Sequence, residues 1–147
     1  MPNERRDTVV LSAVASTDTG RVRKHNEDFV GYHRPKDPEM RAAPGSGFVL
    51  CEGVGGAMGG EIASQHAVRR ILSEYYATPD EATPAQRLRH AVQQANAEIY
   101  RQAPEQPDGR RMTTTVVAAA VLGFQLSLAH AGDSRAYLLR GGQVTQL

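Results

Sequence analysis

The rhythm of hydrophobic and polar positions changes along the chain, and each change predicts an element. Val9 to Ser16 mixes Val, Leu and Ala with small polar residues and predicts a first strand. Thr19-Gly20 supplies a turn, and Phe29 to His33 the returning strand. Arg34 to Ser46 carries three prolines, several charges and Gly45, which predicts a surface loop. The apolar run Gly47-Phe48-Val49-Leu50-Cys51 ends at the acidic Glu52 and a glycine cluster, as a buried strand feeding a tight loop would.

From Glu61 to Tyr76 the period lengthens. Ala63, Ala67, Ile71 and Tyr75 recur every four residues beside Val68 and Leu72, giving a helix with one broad buried stripe. A second helix has a clear start. Thr83 can cap it, Pro84 suits its first position, and Gln86 completes a Thr-x-x-Gln capping box. Leu88, Ala91, Val92, Ala95 and Ile99 form its apolar stripe, and Pro104 and Pro107 end it.

Thr113 to Leu122 is rich in Thr and Val and predicts a strand. Gly123-Phe124 is a turn, after which Leu126 and Leu128 alternate with polar neighbours. Ala136 to Arg140 is another strand, Gly141-Gly142 a two-residue hairpin turn, and Val144 to Leu147 a further strand begun at the end of the sequence. Strands, then two helices, then strands predict an antiparallel sheet with helices on a face, an α+β fold in a single domain over residues 1–147.

Composition narrows the classes of function. Hydrophobic residues make up 40% and charged residues 22%, ordinary for a folded globular chain. A formal net charge of +1 gives no electrostatic reason to expect nucleic acid or an anionic membrane as partner. Cys51 is the single cysteine, which suits a reducing compartment. With a polar N-terminus and no apolar run of spanning length, a soluble cytoplasmic protein is the expectation.

Three segments carry candidate chemistry. Arg21-Val22-Arg23-Lys24-His25-Asn26-Glu27-Asp28 reads as a solvated charged turn, or as a guanidinium able to grip a phosphoryl group beside carboxylates able to hold hydrated hard cations. In Glu52 to Glu61 a carboxylate ends a buried strand, where it needs a compensating cation or donor, and glycines follow. Glycines needed for loop geometry alone are the competing reading. A nucleotide loop fits poorly, because no Gly-Lys-Ser/Thr ending is present and Met58 falls at the third position of G-x-G-x-x-G. Gly132-Asp133-Ser134-Arg135 is by itself an ordinary turn between strands. His66, His90 and His130 receive no chemical role.

In order and spacing these segments resemble the opening motifs of bacterial metal-dependent serine/threonine protein phosphatases of type 2C, the PPM family. The likeness is carried by Thr17-Asp18-Thr19-Gly20-x-Val22-Arg23-x-x-Asn26-Glu27-Asp28, Gly53-x-Gly55-Gly56 with Gly60-Glu61-x-Ala63-Ser64, Thr113-Thr114-Thr115 and Gly132-Asp133-Ser134-Arg135-x-Tyr137. It implies a β-sandwich of two antiparallel sheets flanked by helices, here C-terminally truncated relative to the family. It also implies two Mg²⁺ or Mn²⁺ ions, with a third, weaker site, and water attacking phosphoserine or phosphothreonine in proteins. By position, Arg23 resembles the phosphate-gripping arginine. Asp28, with Glu27, resembles the outer carboxylate that orders water on the metals. Glu52 stands at the metal-bridging aspartate, Gly53 at the residue giving a backbone carbonyl, and Asp133 at the aspartate near the third metal.

The family's loop opens Asp-Gly-Met-Gly-Gly, where this chain has Glu52-Gly53-Val54-Gly55-Gly56. The extra methylene moves the carboxylate by up to about 1.5 Å, against a metal separation of about 3.5–4 Å in two-metal sites. The family's two later aspartate ligands have no counterpart. A weak or inactive phosphatase is one expectation. A non-catalytic pseudophosphatase or truncated module is the other, binding phosphoproteins or forming a homodimer through its incomplete sheet. A cognate kinase is a further candidate partner.

Overall fold

The structure, a computed structural model, describes residues 10–35, 44–54, 59–79, 81–102 and 111–147. Its elements run β1 (Asp28–His33), β2 (Ser46–Val54), α1 (Gly59–Ala77), α2 (Pro84–Gln102), β3 (Thr113–Thr114), β4 (Val116–Leu122), β5 (Gln125–Ala131), β6 (Tyr137–Arg140) and β7 (Gln143–Gln146). The main sheet is antiparallel in the order β1-β2-β4-β5, with β3 pairing the end of β2. A separate hairpin joins β6 to β7. This is the α+β architecture that the patterning predicts.

Helix–sheet packing makes the core. Val49 and Cys51 of β2 and Val116, Ala118 and Ala120 of β4 meet Ala67, Val68, Ile71 and Tyr75 of α1 and Leu88, Ala91, Ala95 and Ile99 of α2. Small alanines on β4 and both helices let the layers approach closely. The predicted capping box is formed. Gln86 N donates to Thr83 Oγ1 at 3.3 Å, and Thr83 N donates to Gln86 Oε1 at 2.8 Å. Between the helices Arg87 is 1% exposed. Its guanidinium donates to the carbonyls of Tyr75, Thr78, Pro79 and Ala82, tying down the C-terminal end of α1. His66 and His90 lie in a charged seam between the helices, beside Glu98 and Glu74. No described helix is long and apolar enough to cross a membrane.

Two expectations are corrected. Residues 10–19 form no strand. A strand needs a neighbour for its backbone groups, and among the described residues this segment has none; Ala13 to Ser16 lie along the outer face of β1, β2 and β4. The single strand predicted over Thr113 to Leu122 is broken at Thr115 into β3 and β4. Thr115 is turned to local partners instead, its amide donating to Glu52 O at 2.9 Å. Residues 36–43 of the predicted loop, Gly55 to Met58, and Pro104 and Pro107 lie outside the described residues.

The core makes alkali destabilising. Burial pushes the Cys51 thiol from 9.0 up to about 12, partly offset by a hydrogen bond with Thr114. Burial likewise pushes the Tyr76 hydroxyl from 10.0 up to about 12, the Gly47 amide opposing and Tyr75 adding to the rise. Above about pH 9 the unfolded chain therefore releases protons that the folded chain keeps, so the unfolded state binds fewer and stability falls with pH. The contribution is complete below pH 9 and is lost as pH climbs toward 12. Urea midpoints measured from pH 8 to 11 should decline steadily over this range; a flat profile would contradict the burial of these two groups.

Candidate functional site

Strand alternation decides where the acidic groups go. In β2, Val49, Cys51 and Gly53 are buried toward the helices, while Leu50, Glu52 and Val54 are exposed on the opposite face. The β1–β2 register sets Asp28 directly across from Glu52. Two carboxylates at opposed positions of neighbouring strands share a face and repel. Among the described residues neither forms an ion pair.

The segment before β1 folds on its own side chains. Gly20 N donates to Asp18 Oδ1 at 2.6 Å. Asn26 Nδ2 donates to Thr17 Oγ1 at 2.9 Å, and Asn26 Oδ1 accepts from Asp28 N at 3.0 Å. Arg23 lies in the loop that these bonds close. The result is a cavity of about 290 Å³ lined by Arg23, Glu27, Asp28, Glu52 and Gly53, with Lys24, His25 and Asn26 also on its wall. Five of the six residues singled out from the sequence thus share one cavity. Asp133 does not line it; it is exposed in the turn between β5 and β6.

Gly53 is required by crowding. Its amide donates to Glu27 O at 3.0 Å. A methyl group there would run into the carbonyl of Gly60 and stand 2.7 Å from Glu27 O, all backbone atoms that cannot swing away. Gly60 is packed in turn, since a Cβ on it would lie 2.8 Å from Glu27 Oε2. The Glu27 carboxylate therefore rests against the first turn of α1, where the helix dipole favours negative charge. Gly53→Ala should cost about 1–3 kcal/mol by overpacking and shift the Glu52 end of β2, read as a lower urea midpoint.

Hydroxyls to which sequence reasoning assigned no role hold Glu52 in place. Glu52 N donates to Thr115 Oγ1 at 3.1 Å, Thr115 Oγ1 lies 2.7 Å from Ser134 Oγ, and Ser134 Oγ donates to Glu52 Oε2 at 3.2 Å. The Glu52 carbonyl accepts from Thr114 Oγ1 and Thr115 N, each at 2.9 Å. Three consecutive threonines after a helix, and a serine in a Gly-Asp-Ser turn, were the visible traces.

The donor set fits a hydrated hard cation. Every candidate ligand is an oxygen, from Glu52, Asp28, Glu27 and the Gly53 carbonyl, and among the described residues the opposed carboxylates form no ion pair. Among the described residues no three His, Cys, Asp or Glu side chains are gathered into a cage. One or two carboxylates with water completing the shell is the usual manner of holding Mg²⁺.

The protein phosphatase 2C family model matches residues 12–147. The chain is 36% identical over 141 residues to the serine/threonine phosphatase stp of Listeria monocytogenes, covering 93% of this chain and 53% of that protein. It is 36% identical over 146 residues to the serine/threonine protein phosphatase PstP of Mycobacterium tuberculosis, covering 97% of this chain and 25% of that protein. A crystal structure of the catalytic domain of PstP in complex with 2 manganese ions matches with a TM-score of 0.69 at 35% identity, over 88% of this chain and 51% of that one. The chain thus spans about half the length, or less, of the relatives it matches.

Proposed function

Because the chain belongs to the protein phosphatase 2C family, we propose that the cavity between Arg23 and Glu52 is the metal and phosphate end of a phosphoserine/phosphothreonine phosphatase site. The observation that carries this reading is Asp28 opposed to Glu52 with the Arg23 guanidinium on the same cavity wall. Divalent Mg²⁺ or Mn²⁺ bound here would supply Lewis-acid activation of water and neutralise charge on the phosphoryl oxygens. Glu52 and the Gly53 carbonyl are the protein ligands in this reading, and Glu27 and Asp28 orient water around them. Arg23 grips the phosphoryl group through a planar, permanently charged fork. Asp133, which does not line the cavity, is in this reading an outer carboxylate for a further cation.

A second reading is favoured by Glu52 itself. Its side chain is longer than aspartate, and one of its oxygens is already engaged by Ser134. In that reading the chain recognises phosphoproteins without turnover, or pairs with a second copy through the sheet face that exposes Leu50, Leu126 and Leu128.

The deciding experiment is phosphate release from p-nitrophenyl phosphate and a phosphothreonine peptide, with Mn²⁺, with Mg²⁺ and with chelator. Catalysis predicts turnover that requires metal and disappears in Glu52→Ala. If neither the wild type nor Glu52→Asp turns over in either metal, while the phosphopeptide still binds, the non-catalytic reading stands and the catalytic one is lost.

A further inference from the structure

We propose that Ser134, aligned by Thr115, is a positioning residue that fixes the Glu52 carboxylate for cation binding; this rests on the metal-site reading of the cavity. The donor directions follow from counting protons. Glu52 Oε2, on a carboxylate, can only accept, so the single Ser134 hydroxyl proton goes to it. Ser134 Oγ must then be the acceptor in its 2.7 Å contact with Thr115, and Thr115 the donor. Thr115 Oγ1 in turn accepts from the Glu52 amide at 3.1 Å. The bonds close a ring that leaves Glu52 through its backbone and returns through its carboxylate.

The surroundings favour such a ring. Thr115 is 7% exposed and sits at the break between β3 and β4, so its hydroxyl is fixed in direction. Gly132 takes φ 103°, and a Cβ there would lie 2.8 Å from the Thr115 side chain. Glycine alone lets the β5–β6 turn press down on Thr115 and deliver Ser134 to Glu52. Glu52, by contrast, is exposed and has three side-chain torsions, so without a tether its carboxylate would sample many rotamers. Ser134 engages Oε2 and no other described residue engages Oε1, which leaves that oxygen for a ligand in the cavity. The tether also suits glutamate in particular. An aspartate carboxylate would be withdrawn by about 1.5 Å, one C–C bond, and the 3.2 Å contact would open beyond hydrogen-bond reach.

The test uses Ser134→Ala, Ser134→Thr and Glu52→Asp, alone and combined, with two readouts that need no turnover. In the metal-free protein the Glu52 side-chain carboxyl ¹³C resonance should move in Ser134→Ala and stay near its wild-type position in Ser134→Thr, which keeps the hydroxyl. Mn²⁺ affinity, titrated by water-proton relaxation, should weaken about tenfold in Ser134→Ala, as loss of an outer-shell hydrogen bond does, and be retained in Ser134→Thr. In the Glu52→Asp background Ser134→Ala should have no effect on Mn²⁺ affinity, because the tether is already broken. Equal losses in the alanine and threonine variants, an undiminished loss in the Glu52→Asp background, an unmoved resonance, or a wild type that binds no Mn²⁺ would each overturn the proposal. A wild type that binds Mn²⁺ and shows this pattern without turnover would sink the phosphatase reading alone.

Discussion

Arg87→Leu is expected to lower the unfolding free energy by about 3–5 kcal/mol, since each hydrogen bond from a charged donor contributes about 1.5–3 kcal/mol and such terms do not add in full. Nothing in the role of Arg87 is catalytic. It is 1% exposed, and its nitrogens donate to four carbonyls at 2.7–3.2 Å around the end of α1 and the turn into α2. Carbonyls at a helix end have no partner within the helix, and a cation there also meets the negative end of the dipole. Leucine would fill much of the volume but leave these oxygens without a donor in the interior. Arg87→Lys should recover little, because one ammonium cannot reach acceptors spread as a planar fork reaches them. Urea unfolding followed by circular dichroism gives the difference directly. A loss below 1 kcal/mol would mean that water replaces the guanidinium.

Arg23→Ala should do the reverse, leaving stability almost unchanged while reducing Mn²⁺-supported kcat/KM on a phosphothreonine peptide by about 100-fold, the usual consequence of losing one preorganised donor to a developing charge. Arg23 is exposed on the cavity wall and, among the described residues, forms no ion pair that folding would miss. Surface changes of that kind stay within about 0.5 kcal/mol. Arg23→Lys restores charge without the bidentate fork and should recover only part of the loss. Should the chain bind phosphopeptide without turnover, the same substitution should weaken that binding instead. Full activity or full binding in Arg23→Ala would remove Arg23 from the site.

What the sequence discloses and what it conceals divide along the range of the interactions. The Thr83–Gln86 box and the stripes of α1 and α2 depend on residues a few positions apart, and they are formed as the patterning predicts; the run Gly47–Cys51 forms its strand but is buried on one face only, with Leu50 and Glu52 exposed on the other, where a strand buried on both was expected. The order of motifs points to Arg23, Asp28 and Glu52 together; the β1–β2 register supplies the physical cause for Asp28 and Glu52, and Arg23 reaches the same cavity from the segment before β1. Val9 to Ser16 reads as a strand because apolar and small residues mix there, yet pairing depends on a distant neighbour that local pattern cannot report. Arg87 sits in a helical stretch where arginine ordinarily faces water, and only the path of the preceding turn buries it. Ser134 had an adequate local explanation as a turn residue. Its bond to Glu52 spans 82 positions, and its significance follows from the break at Thr115 that the run of threonines did not announce.

Anomalous diffraction from crystals soaked in Mn²⁺ tests the site most directly. A peak is expected in the cavity lined by Arg23, about 2.0–2.3 Å from a Glu52 carboxylate oxygen or the Gly53 carbonyl, in the range of small hard-cation bonds. A map in which manganese avoids Glu52, Gly53 and Asp28, or binds only elsewhere on the surface, would contradict it.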